Sequence, residues 1–114
     1  MDSFSSYNVC WTVATLADKM SKKHFILNGK HGFWDTGKKN DYIESLRLGL
    51  PTGLIVLAET DKKHEYHVVD GSQRLLAIDK FYQQGISSML DNQSVLITIV
   101  RNTDLVNLAK KLNP

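Results

Sequence analysis

Tyr66-His67-Val68-Val69-Asp70-Gly71-Ser72-Gln73-Arg74-Leu75-Leu76-Ala77-Ile78 is the stretch that decides the fold. Its first residues are aromatic and β-branched, as a strand prefers. Its last residues begin a helical spacing, with Leu75, Ile78 and Tyr82 on one face and Leu76 and Phe81 beside them. Asp70-Gly71-Ser72 is the turn between, and the helix is predicted over residues 73–84, ended by Gly85. A strand feeding straight into a helix exposes first-turn N–H groups that lack intrahelical partners and carry partial positive charge. Such a corner attracts phosphate or carboxylate. Gly71 lets a ligand approach bare backbone, Ser72 caps the helix or donates to an oxygen, and Arg74 adds a charge-assisted fork. Asp70 repels an anion, so its expected work is to bind a cation, a ribose hydroxyl or a turn amide. The same residues also suit a plain turn with Arg74 in solvent, and spacing alone does not separate the two readings.

Working outward, Leu54-Ile55-Val56-Leu57 is a continuous apolar run, predicted to be a strand covered on both faces. The polar turn Asp61-Lys62-Lys63-His64 makes it the first arm of a hairpin whose second arm is residues 66–69. Residues 39–48 read as a helix with Tyr42, Ile43, Leu46 and Leu50 on its apolar side, stopped by Gly49 and Pro51. Nearer the start, Thr12 or Thr15 opens a helix running to Lys23 on Val13, Leu16, Ala17 and Met20, followed by a short strand at residues 24–27. Residues 28–32 are a glycine-rich loop anchored by Phe33 and Trp34. Residues 95–100 form a last strand and residues 104–112 a short helix. The order predicts one mixed α/β domain over residues 1–114, its elements interleaved around a small sheet.

The whole chain has 114 residues, 42% apolar and 23% charged, which fits one folded domain and argues against disorder. No apolar run approaches the roughly 20 residues that span a bilayer, and the first residues lack a signal-peptide pattern. A lone Cys10 excludes an intramolecular disulfide and a cysteine-built zinc site, so a reducing cytoplasm is the expected compartment. Fourteen Lys and Arg face twelve Asp and Glu, a net +2. Six lysines against three aspartates up to Lys39 leave a local excess of +3, enough for contact with phosphates but far from a nucleic-acid coat.

A second constellation precedes the turn. Asp41-Tyr42-Ile43-Glu44-Ser45-Leu46-Arg47-Leu48-Gly49-Leu50-Pro51 leads into the apolar strand and then into Val69-Asp70-Gly71-Ser72-Gln73-Arg74-Leu75. This succession of an acidic-Ser-Leu helix, a Gly-Leu-Pro bend, a strand and a Val-Asp-Gly-x-Gln-Arg-Leu turn resembles the ParB/sulfiredoxin superfamily. Within it, the closest likeness is to the N-terminal domain of GmrSD-type, modification-dependent restriction proteins. The likeness is strong over residues 41–81 and continues to the end through the last strand and helix.

The resemblance implies a ParB-like domain with a site for a nucleoside triphosphate, carried with Mg²⁺, or for DNA. Gly71, Ser72, Gln73 and Arg74 would face the phosphates. Asp70 and Glu44 would be the catalytic carboxylates, handling a metal or a proton as phosphoryl transfer requires. Asn28-Gly29-Lys30 stands where the family carries Phe-Gln-Arg, so Lys30 would keep the charge of that motif without its glutamine. Ser72 stands where a glutamine is usual, and also where the sulfiredoxin branch needs a cysteine. Larger members continue into a helical region and a nuclease domain.

Two functional readings follow. One is a nucleotide- or DNA-binding domain of restriction or phage defence, with weak NTPase or nuclease activity. The other is a catalytically silent module that binds a host or phage protein, such as an inhibitor of a defence nuclease. Neither needs a resident metal in the protein. His64 and His67 flank the hairpin turn, but positions three apart on a strand face opposite ways, so no metal pair is expected. Trp11, Phe33 and Trp34 suit either core packing or base stacking. Cys10 is expected to be buried. The oligomeric state is not encoded in any of these features.

Overall fold

The computed structural model describes residues 5–27, 34–85 and 89–101. In chain order the elements are β1 (Ser6–Thr12), α1 (Val13–Ser21), β2 (Phe25–Ile26), α2 (Thr36–Arg47), β3 (Ile55–Glu59), β4 (Tyr66–Asp70), α3 (Ser72–Gln83) and β5 (Ser94–Val100). Strand order across the sheet is β1-β5-β3-β4-β2. Pairing is antiparallel for β1/β5 and β3/β4 and parallel for β3/β5 and β2/β4. The architecture is therefore the expected mixed α/β one, a mixed sheet flanked by helices.

One face of the sheet makes the core. Register sets Ile55 beside Ile97, Leu57 beside Ile99 and Val68, and Val9 beside Ile97, so these side chains share a face. Val13 and Leu16 of α1, Leu46 of α2 and Leu75 and Ile78 of α3 pack into the same cluster. Ile55, Leu57, Leu75, Ile78 and Ile97 are fully buried, each contributing about 1.5–3 kcal/mol relative to exposure. Helix α3 packs against both α1 and α2 and so locks the helical layer together.

Local chemistry explains the boundaries. Thr12 caps α1, its Oγ1 accepting from the Thr15 amide at 3.2 Å. Asp35 caps α2 by accepting from the Lys38 amide at 2.8 Å, so this helix begins at Thr36, ahead of the expected Lys39. Gly49 follows α2 at φ +72°, the left-handed turn that a Cβ disfavours. Leu50, expected on the apolar side of α2, lies beyond its end and is 52% exposed. Leu54 is 38% exposed, and the buried strand starts one residue later at Ile55, flanked by β4 and β5.

Two expectations are corrected here. Strand β1 has no counterpart in the sequence reading, although Tyr7, Val9 and Trp11 alternate with the exposed Ser6, Asn8 and Cys10. Cys10 itself points to the exposed face of this edge strand and is not buried. The helix expected at residues 104–112 lies outside the described residues. Among the described residues no helix is long and apolar enough to cross a membrane.

The Tyr82 hydroxyl donates to Asp91 Oδ1 at 2.7 Å and ties the end of α3 to the turn before β5. Burial, then that hydrogen bond and the Asp91 charge, push the Tyr82 pKa up from its usual value of 10. A raised tyrosine pKa contributes stability that is complete below pH 10 and lost as pH climbs through the folded-state value. Tyr7, Tyr42 and Tyr66 shift in the same direction. The urea midpoint should therefore hold steady to about pH 10 and fall above it. In Tyr82→Phe the unfolding free energy should start about 1 kcal/mol lower at neutral pH and fall less steeply above pH 10.

Candidate functional site

Strand β4 does not run straight into α3. Val56 pairs with Asp70 while Leu57 pairs with Val68, so Val69 is an extra residue that bulges the strand just before its end. Gly71 then turns the chain at φ +110° and stands at the N-cap of α3. A Cβ on Gly71 would lie 2.9 Å from Ile55 Cγ1. The glycine is thus demanded by the core beneath it as well as by backbone conformation. Ser72 is not the cap: it opens the helix and is 6% exposed. No side chain caps α3, in contrast to Thr12 on α1 and Asp35 on α2.

Above this corner lies an open hollow of about 260 Å³, lined by residues 69–74 and Trp34. The sequence-predicted Asp70, Gly71, Ser72, Gln73 and Arg74 therefore meet at one place. Arg74 is half-buried rather than free in solvent. Its Nη1 donates to the Leu54 carbonyl at 2.9 Å, which fixes the guanidinium on the wall of the hollow. Among the described residues no carboxylate pairs with it. Gly53, at φ +80°, stands against the guanidinium, where a Cβ would be 3.3 Å from Nη2. Gln73 Oε1 accepts from the Trp34 amide at 2.9 Å and ties Trp34 to the first turn of α3.

A second, wider groove of about 410 Å³ adjoins the first and shares Trp34 and Arg74 with it. Helix α2 presents Lys38, Asp41, Tyr42 and Ser45 there, and Pro51 and Thr52 close the other side. The Trp34 and Tyr42 rings meet edge to face, 5.7 Å between centroids. Tyr42 is only 7% exposed, yet its hydroxyl has no partner in hydrogen-bonding geometry. Burial raises its pKa, while a loose approach of the Thr52 side chain, short of good hydrogen-bonding geometry, and then the Arg74 charge pull the other way. A buried hydroxyl left unsatisfied costs about 1–3 kcal/mol.

Glu44 is not brought to either hollow. It is exposed, forms a two-point ion pair with Arg47, and lines neither cavity. That Arg47 pairing holds its pKa below the usual carboxylate range, which makes it a poorer proton acceptor. Lys30 lies outside the described residues. His64 sits in the turn at φ +65°, off the strand, with its ring stacked on His24 at 6.5 Å. Among the described residues no cluster of three or more His, Cys, Asp or Glu could hold a metal. Sequence reasoning missed Gly53, Asp41, Ser45 and Thr52. The helical spacing 38-41-42-45 was the available signal for the α2 members; nothing local marked Gly53.

Two variants test this geometry. Gly71→Ala should lower stability by at least about 2 kcal/mol in urea denaturation, through strain at positive φ and collision with Ile55. Gln73→Ala should lower it by about 1 kcal/mol, and in a Trp11→Phe background should shift Trp34 emission to the red as Trp34 loses its tether.

Residues 33–113 match the family model described as the GmrSD restriction endonuclease, N-terminal domain. The match begins beside Trp34 and takes in α2, β3, β4, α3 and β5, and with them both hollows. No curated protein matches the chain. Because that match spans more than two-thirds of its length, the chain belongs to the GmrSD restriction endonuclease N-terminal domain family, and so is tied to restriction.

Proposed function

We propose that the β4–α3 corner binds the phosphates of a nucleoside triphosphate, and that the fold around it is of the ParB/sulfiredoxin type. The observation that carries this reading is the pairing of an uncapped first turn of α3 with a guanidinium held over the same open hollow. Backbone amides and the dipole favour anionic oxygens there, and Arg74 supplies a fork already oriented by Leu54. With its position fixed in advance, Arg74 loses little freedom on binding. A site left open in this way is why we favour nucleotide binding over a catalytically silent protein-binding module.

Asp70, at the exposed rim, is the carboxylate placed to take a Mg²⁺ ion that arrives on the phosphates. Magnesium is commonly held by one or two carboxylates together with substrate phosphates, so a single aspartate suits that role. Hydrolysis, where it occurs, would use Asp70 to orient the metal or the attacking water. Glu44, facing away and engaged with Arg47, takes no part in this reading.

Thermal unfolding with ATP, GTP, CTP and UTP, each with Mg²⁺, tests the proposal. At least one should raise the melting temperature, since ligand at a hundredfold over Kd adds about 2.7 kcal/mol. Arg74→Ala should abolish the gain and Glu44→Gln should keep it. A wild-type protein that no triphosphate stabilises would overturn the reading.

A further inference from the structure

The hollow over the β4–α3 corner meets the wider groove along two side chains, Trp34 and Arg74, which line both. The two spaces differ in chemistry. The first has the uncapped amides of α3, Arg74 and the Ser72 hydroxyl. Ser72 is more than nine-tenths buried, yet its hydroxyl forms no hydrogen bond among the described residues and still reaches the hollow. A polar group so placed awaits an oxygen from a ligand. The second space sets Lys38 against Asp41, and the rest of its lining is uncharged apart from Arg74 on the shared wall. At about 410 Å³ it has the size of a small-molecule site, for which roughly 300–1,000 Å³ is usual.

Trp34 stands where the two spaces meet, and it is fixed there. Its amide is held by Gln73 at 2.9 Å, and its ring rests edge to face on the ring of the buried Tyr42. The residue is nonetheless partly exposed and borders both spaces. A flat ring already held in place loses little freedom when a second ring settles on it. Stacking of a nucleobase on an aromatic side chain is worth about tenfold in affinity or more, and it needs no hydrogen bond to a base edge.

Resting on the nucleotide reading above, we propose that the wider groove takes the nucleoside end of the ligand, its heteroaromatic base stacked on the Trp34 ring. Residues 71–74 hold the phosphates at the other end. Trp34 is then the specificity-determining residue by which the site tells a nucleotide from bare polyphosphate. Arg74, common to both spaces, marks where the charged end of the ligand gives way to the neutral one.

Two measurements on the full chain separate this claim from the phosphate site. One is calorimetric titration with Mg²⁺ and either inorganic tripolyphosphate or each of the four common ribonucleoside triphosphates. The other follows Trp34 emission in Trp11→Phe, where Trp34 is the sole tryptophan. At least one nucleotide should bind about tenfold more tightly than tripolyphosphate and quench Trp34. Saturating tripolyphosphate should leave the emission close to its starting intensity. Trp34→Leu should remove most of the nucleotide advantage and keep tripolyphosphate binding within about threefold, while Trp34→Phe, a smaller ring, should retain part of that advantage.

Nucleotides and tripolyphosphate binding equally would overturn the stacking role while leaving the phosphate site standing. So would a nucleotide advantage that leaves Trp34 emission unmoved, or one that survives intact in Trp34→Leu. If Trp34→Leu does not fold, quenching of the native ring and the affinities of Trp34→Phe decide the matter. Failure of every probe to bind wild type would overturn the phosphate site itself.

Discussion

Among the described glycines the tightest constraint is the contact between Gly71 and Ile55. A missing Cβ lets the start of α3 settle directly on the most central strand of the sheet, with no room for even one further carbon. From that seat α3 reaches α1 on one side and α2 on the other, and its Leu75 and Ile78 fill the middle of the core. The bulge at Val69 serves the same end, since it swings the end of β4 into position for the turn. The packing that holds the fold together also fixes where the amides of the first turn point. Stability and site are consequences of one backbone geometry.

Arg74 depends on that geometry at one remove. Its guanidinium is held by the Leu54 carbonyl and has Gly53 behind it, so the segment leading into β3 acts as its bracket. Gln73 does the corresponding work for Trp34. Neighbouring side chains on a single helical turn therefore each reach to a different part of the chain and draw it to the same hollow. A cation fixed by a carbonyl keeps its full charge for an incoming anion, which pairing with a carboxylate would largely cancel.

Much of this was legible in the residues. The hairpin, the turn and α3 could be read because each has strong local chemistry: a polar turn between apolar runs, a glycine, then a clear helical spacing. The start of α2 was misplaced because Asp35 acts through its side chain on an amide three residues on, with no apolar residue to mark it. Strand β1 was missed since its alternation mixes Tyr, Val and Trp with Ser, Asn and Cys, and its partner lies almost a whole chain away. The hollow's members on residues 69–74 were foreseen, being contiguous. Those on α2 and at residues 51–54 were not, because only tertiary packing brings them to Arg74. Glu44 shows the limit of motif reading, for a helix places its neighbours Asp41 and Ser45 at the groove and turns Glu44 toward Arg47.

Strand β5 lies between β1 and β3 and bonds to both. Ser6 has to find Val100, and Ile55 has to find Ile97, before the sheet can close. Such distant pairings pay a large loop entropy before any contact rewards it, which slows folding. During synthesis, then, β1 leaves the ribosome well ahead of its partner β5, and its sticky flank stays unshielded until β5 follows.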